Sequence, residues 1–312
     1  MPLPKPKPEE SRSEFISRCV INPEIVADFE TTQQRLAVCY DLYSNKTVKQ
    51  SDKEFFDEYI SESEKNKIAA EAKEARNVSR YLNREYNKGV EQYLATRKVS
   101  GFAGLFKLDE IAALYSILYT NVGTRFSKLY VKYFGKRYAP NINPENYAIL
   151  WRDYFRDSGK RIGVVKGESV ARTQQKELAR VIGRLHRSPE FQMLNERQAS
   201  RILKSQVKDL SDWRAKAIVR TEANAAANFA SEQTALDMYG KDALKKWWST
   251  SGDERVRDSH VAAGINYSRG KAIDVDKDFI VGGDYMKRPS TGSIAANNVN
   301  CRCNAIYEPV NI

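Results

Sequence analysis

Apolar positions fall in three different rhythms along this chain. From residue 51 to 98 they are sparse. After an aromatic patch at Phe55, Phe56 and Tyr59, only Ile68, Ala72, Ala75, Val78 and Leu82 recur at spacings of three and four among charged residues. So thin a stripe predicts a helix that lies on a partner or in a loose bundle, not a fully buried one. Ser51, with Glu54 three residues on, forms a capping-box pattern at its start. From 105 to 134 the apolar positions are dense, running from Leu105 and Phe106 through Ile111, Leu118, Val122 and Phe126 to Phe134. Their 3–4 spacing predicts a core helix or a pair of helices. Helical patterns return over 145–157, 168–186, 195–206 and 212–239, and Gly159, Gly163, Gly167, Ser188-Pro189 and Leu210-Ser211 mark the junctions. That is the pattern of a compact bundle of short helices. After Gly240 the rhythm changes to short runs, Trp247-Trp248 and Phe279-Ile280-Val281, with Gly282-Gly283-Asp284 reading as a turn between two strands. The predicted fold class is a mainly α-helical body with a small C-terminal α+β unit.

The N-terminal region reads differently. Alternating prolines over residues 1–10 predict an extended tail. Ser13 caps a short helix containing Phe15 and Ile16, and Asn22-Pro23 breaks it. Thr31 or Thr32 starts a second helix carrying Leu36, Val38, Cys39, Tyr40 and Leu42. The expected organisation is a proline-rich tail and small helical module (1–45), a charged helical segment (46–100), a helical bundle (101–240) and the α+β unit (241–312).

The formal net charge of +11 favours a polyanionic partner such as DNA, although the same Lys and Arg also solvate long helices. Four cysteines, Cys19, Cys39, Cys301 and Cys303, do not make a secreted disulfide framework. No apolar run is long enough to span a bilayer and no signal peptide is visible, so the expectation is a protein of a reducing cytoplasm with no membrane partner.

Three blocks carry candidate chemistry. In Arg220-Thr221-Glu222, spacing by four groups Arg220, Asn224 and Asn228 on one helix face, with Glu222 on another. The face is either a charged strut to the C-terminal unit or an ordinary solvated surface. In the second block, Trp247 and Trp248 close a strand and Ser251 with Glu254 opens a helical turn. That turn would place Asp253, Arg257 and His260 on one face, with an Asp253–Arg257 ion pair. His260 is a general base, a metal ligand or a hydrogen-bonded core residue. The third block, Asn300-Cys301-Arg302-Cys303, reads as strand, with both thiols on the face of Ala305 and Tyr307 and Arg302 opposite. Two readings stand: small buried thiols, or zinc ligands together with His260 and Asp253. One residue between paired cysteines fits zinc poorly unless the strand bends. No phosphate-binding Gly-rich loop and no Gly-x-Ser-x-Gly elbow is present.

Taken in order, the segments from Leu210 to Glu222, from Lys245 to His260 and from Asn300 to Pro309 resemble the minor head proteins of tailed phages, the Mu F-like head-morphogenesis family. The resemblance spans about residues 145 to 309. It implies a non-enzymatic structural role in head assembly, inside the virion near the portal, after synthesis in the host cytoplasm. The implied partners are the portal protein, the major capsid protein and double-stranded DNA without sequence specificity. Arg220, Glu222, Trp248, Asp253, Arg255, Arg257, His260, Asn300, Cys301, Arg302 and Cys303 occupy the signature positions, and no catalytic residue is implied. Val261-Ala262-Ala263-Gly264 stands where many relatives carry Leu-Asp-Gly after the histidine. Two rival readings are a zinc-dependent enzyme using His260, Cys301 and Cys303, and a DNA-packaging or injection protein working through residues 46–100.

Overall fold

A computed structural model describes Pro4, Glu10 and residues 12–29, 31, 32, 34–36, 38, 39, 52–139 and 142–310. The chain divides into two compact units, residues 1–61 and 62–312.

In the first unit, α1 (Arg12–Val20) ends before Asn22, whose side chain accepts from the Glu24 N–H and opens α2 (Pro23–Asp28). Thr31 opens a further helical turn through a reciprocal pair of bonds with Gln34, the capping-box arrangement. Phe15, Ile16, Cys19, Ile25 and Cys39 form a small core. Cys19 and Cys39 are joined by a disulfide. This corrects the expectation of a fully reduced chain: the two short helices bury little surface, and a cross-link supplies what so small a core does not. The expected proline-rich tail, Tyr40, Leu42 and the Ser51 cap lie outside the described residues, apart from Pro4 and Glu10.

Helix α3 (Asp52–Thr96) begins in the first unit and continues in the second. Three long helices follow it: α4 (Leu108–Tyr130), α5 (Pro144–His186) and α7 (Glu196–Tyr239). A single turn, α6 (Pro189–Gln192), separates the last two. A π-helical turn, Val131–Gly135, extends the end of α4. Each start has a visible cause. Asn143 accepts from the Glu145 and Asn146 N–H groups ahead of Pro144, and Asn195 and Gln198 form a capping box. Gly240, at φ +72°, ends α7.

The bundle of short helices is thus corrected to long ones. Gly159, Gly163 and Gly167 are not junctions; they lie buried within α5 at intervals of four residues, where α4 packs. A Cβ at Gly159 would sit 2.6 Å from the Tyr115 carbonyl oxygen, and one at Gly163 2.7 Å from the Ala112 Cα. The glycines form a seam that lets two backbones approach. Ser211 is also no break, because its hydroxyl bonds back to the Val207 carbonyl within α7.

The buried face of α3 is corrected as well. Ile68 and Ala72 are exposed, whereas Ser63, Lys67, Ala70, Glu74, Val78, Leu82, Glu85 and Tyr86 are buried. The helix turns a partly polar face inward: of the expected stripe Val78 and Leu82 are buried, whereas Ile68 and Ala72 face away.

The C-terminal part carries a three-stranded antiparallel sheet in the order β2-β1-β5, made of β1 (Leu244–Ser249), β2 (Ile273–Asp274) and β5 (Asn304–Pro309). Its register sets Trp248 opposite Ala305 and Ser249 opposite Asn304. A hairpin of β3 (Phe279–Val281) and β4 (Asp284–Met286) turns at Gly282 and Gly283, both at positive φ, as a two-residue hairpin turn demands. Helix α8 (Asp258–Asn266) and the turn α9 (Ala295–Asn298) complete it. The fold is the helical body with a small α+β unit that the pattern predicts.

Candidate functional site

One face of α7 carries a polar rail. Arg220, Asn224, Asn228 and Glu232 follow at intervals of four, which stacks them along the helix. The Arg220 guanidinium meets Glu71 of α3 at 3.4 Å. Asn224 accepts from the Lys67 ammonium at 2.5 Å and donates to the Ser290 hydroxyl at 3.0 Å. Asn228 donates to the Cys303 carbonyl at 3.1 Å and accepts from the Ala305 N–H at 2.7 Å. Its amide satisfies backbone groups along β5 as a neighbouring strand would. Glu232 is fully buried and pairs with Arg288. Glu222 points elsewhere, to Lys166 of α5 at 2.8 Å.

The segment Asn300–Cys303 lies against this rail. It is not strand; β5 begins only at Asn304. Asn300 sits in the left-handed region at φ +57°, which Asn tolerates better than most residues, and its N–H donates to the Thr221 hydroxyl at 3.0 Å. The Cys301 N–H donates back to the Asn298 carbonyl. The resulting bend sends Arg302 to Asp253, where two guanidinium nitrogens reach both carboxylate oxygens at 2.6 Å. It sends the two thiols inward to His260.

The expected helical turn from Ser251 does not form. Residues 250–257 are turn and coil, and α8 begins at Asp258. Asp253 therefore does not share a helix face with Arg257 and His260, and pairs with Arg302 and Arg255 instead of Arg257. Bonding to Arg302 holds the Asp253 carboxyl down at about 2. The Arg257 guanidinium donates to the Val299 carbonyl. A turn of seven residues without an apolar partner has little to hold it helical, and the bidentate arginine wins.

Beneath these pairs is a closed pocket of sulfur and nitrogen. His260 is 1% exposed and the two thiols 2% each. His260 Nδ1 lies 3.4 Å from Cys303 Sγ and 3.6 Å from Cys301 Sγ. The Trp248 ring meets the imidazole edge to face, centroids 5.6 Å apart. His260 Nε2 has no protein partner among the described residues. A hydrogen bond from Cys303 holds the Cys301 thiol below the usual range, and the same bond holds Cys303 above it. Lys67 reaches the cluster from α3, donating to the carbonyls of Arg302 and Cys303 at 3.2 and 3.3 Å. Burial pushes its ammonium down to about 8, with Cys301 and Cys303 opposing. The Ser63 hydroxyl donates to Asn304 Oδ1 at 3.2 Å.

Sequence pattern missed Lys67, Ser63, Glu232, Arg288 and Ser290. The signal for Lys67 and Ser63 was available: a helix whose apolar positions skip turns must bury something else on those turns.

A family model described as phage Mu protein F like protein matches residues 163–306. The match starts inside α5 and covers α7 and nearly all of the α+β unit, so it includes the rail, the Asp253–Arg302 pair and the thiol pocket. No curated protein and no solved structure matches the chain. Residues 163–306 of the chain are thus similar to the phage Mu protein F like family, as the resemblance read from the sequence implies.

Proposed function

We propose that this chain is a structural minor head protein that works in head assembly, docked at the portal and touching packaged DNA. The observation that carries the structural reading is the closure of the signature residues. Asp253 pairs with Arg302, His260 meets Cys301 and Cys303, and these last three are sealed at 1–2% exposure. A catalytic centre has to admit substrate. A joint between a helix and a sheet does not.

Two surfaces support the assembly role. Ile149, Leu150, Val164 and Val165 of α5 are 59–83% exposed. Large apolar side chains in that number suit a protein partner, and the portal and major capsid proteins are the candidates the family offers. The second surface is the tip of the α5–α7 hairpin. Residues 171–216 hold eleven Lys and Arg against five Asp and Glu, an excess of six out of the chain's +11. Arg172, Lys176, Arg184, Arg187, Arg197, Arg201 and Lys204 are all exposed there. Such a tip meets phosphates without reading bases. Helix α3 offers the opposite balance, with eight basic and ten acidic residues over Asp52–Thr96. DNA contact therefore belongs to the hairpin tip and not to α3.

The test is retention of the full chain on random duplex DNA against rising salt, beside an Arg197→Ala/Arg201→Ala/Lys204→Ala variant. The expected result is salt-sensitive retention that the variant loses. Equal retention by both removes the tip, and no retention at low salt removes the DNA contact. Co-purification with the portal protein of the same genome tests docking separately, and its failure with a folded chain counts against it.

A further inference from the structure

We propose that His260, Cys301 and Cys303 hold a zinc ion that staples α8 to the segment leading into β5. The three ligating atoms lie within 4.8 Å of one another. A tetrahedral zinc with its usual bond lengths to imidazole nitrogen and thiolate sulfur sets each nitrogen-to-sulfur edge at about 3.6 Å. The observed edges are 3.4 and 3.6 Å.

Hydrogen bonding alone leaves this arrangement half explained. A neutral imidazole presents one acceptor nitrogen and so takes one thiol proton. Here both sulfurs converge on the same Nδ1. In a protonated cluster only one thiol donates to Nδ1 and the other is left with a sulfur, a weak acceptor, whereas both sulfurs and the nitrogen are ligands if a soft cation sits between the three atoms.

The short spacing of the two cysteines stops being an obstacle in this backbone. Residues two apart in a strand share a face but diverge. Here Asn300, at φ +57°, bends the chain just ahead of Cys301, and Arg302 is anchored away from the pocket by Asp253. The thiols on either side of it are left facing His260. The surroundings fix the ligands: Trp248 packs on the imidazole, and Lys67 holds the carbonyls of Arg302 and Cys303. Such outer partners orient a metal's ligands. The described residues offer three protein donors, and a water molecule completes the tetrahedron.

The experiment uses the full chain, purified with a phosphine reductant that does not bind zinc. Elemental analysis after dialysis is expected to find about one zinc per chain. After chelation, Co²⁺ added to the folded wild type is expected to give a thiolate-to-cobalt absorption that saturates at one equivalent. Zn²⁺ added instead is expected to raise the melting temperature. Cys301→Ser and Cys303→Ser are each expected to lose the bound zinc. Absence of both retained zinc and the cobalt band in folded wild type overturns the proposal, and neither reading depends on a variant folding. Zinc retained undiminished in both serine variants overturns the ligand set. The head-protein reading rests on other tests and survives either failure.

Discussion

Replacing Gly159 and Gly167 by alanine, one at a time, should move stability in opposite directions. Both sit in the interior of α5, two helical turns apart. Alanine gains about 1 kcal/mol over glycine in a helix interior, and this gain is common to the two sites. The opposing contribution differs. At Gly167 a Cβ meets the end of Leu108, at 3.3 Å from Cδ2, and Ile111 Cγ2 at an ordinary 3.9 Å, and a flexible methyl can move a few tenths of an ångström. The net effect there should lie between zero and about 1 kcal/mol of stabilisation. At Gly159 the Cβ meets the Tyr115 carbonyl oxygen and the Tyr119 Cβ, both at 2.6 Å, and the Ser116 Cα at 3.0 Å. Backbone of α4 cannot yield so easily, and overpacking of this kind costs about 1–3 kcal/mol, occasionally more. With the close contact at the upper end, Gly159→Ala should lose about 2 kcal/mol net. In a unit of this size that lowers the melting temperature by roughly 4–8 °C, while Gly167→Ala leaves it level or raises it. Denaturant melts followed by circular dichroism measure both. If the two variants shift stability the same way, or if Gly159→Ala is the more stable, α4 and α5 do not touch backbone to backbone and the glycines are flexible joints after all.

Four further outcomes follow from the joint between α7 and the sheet, and from the N-terminal unit. Asn228→Leu strands the Ala305 N–H in a buried place and leaves the Cys303 carbonyl only its bond from Lys67, and should cost about 1–3 kcal/mol; hydrogen exchange at Ala305 would accelerate before that of the rest of β5, and unchanged exchange would refute the strand-mimic role. Breaking the buried Glu232–Arg288 pair with Glu232→Gln should cost about 3–5 kcal/mol, whereas replacing both with methionine should cost far less; equal losses in a double-mutant cycle would contradict this. Lys246 is buried against Phe279 with its ammonium pushed down to about 8 by burial, so between about pH 8 and 10.5 the unfolded chain keeps a proton that the folded chain has released. Stability should rise with pH across that window, and because buried Lys67 is pushed down likewise, Lys246→Met should remove about half of the rise in denaturant titrations. Reducing Cys19–Cys39, which closes a loop of 20 residues, should destabilise the first unit by about 3 kcal/mol on the chain-entropy account, leaving the thermal transition of the second unit in place; a single transition shifted as a whole would count against it.

The three rhythms of apolar residues made the mainly helical body and the α+β end legible, down to the Gly282-Gly283 turn. What they concealed has two physical causes. A glycine reads as a breaker when only its own backbone freedom is weighed, yet at positions 159, 163 and 167 the missing side chain is what the facing helix requires. An apolar stripe reads as the buried face only when burial is apolar. On α3 it is Ser63, Lys67, Glu74 and Glu85 that go inside; Glu85 is balanced within the helix by Arg84 and Lys88, but Ser63 meets Asn304 and Lys67 the carbonyls of Arg302 and Cys303, and no local pattern can announce a partner more than two hundred residues away. The same holds for Asp253. Sequence spacing offers it an arginine four residues on, in a helical turn, and the fold supplies one 49 residues on, at Arg302.

That polar character gives the joint a property an apolar seam would lack. Leucines on α7 could slide by a turn against β5 and bury nearly the same area. The rail permits no such slip, because Arg220, Asn224, Asn228 and Glu232 each meet a different partner: a carboxylate, a lysine with a hydroxyl, a pair of backbone groups and a guanidinium. Moving by four residues would set Asn224 against Glu71 and leave Arg288 unpaired. Each misplaced group would then stand buried without its bond, at about 1–3 kcal/mol apiece and more for the charges. The register of the sheet on the helix is therefore set by hydrogen bonding, while the aromatic and apolar contacts around it supply adhesion without direction.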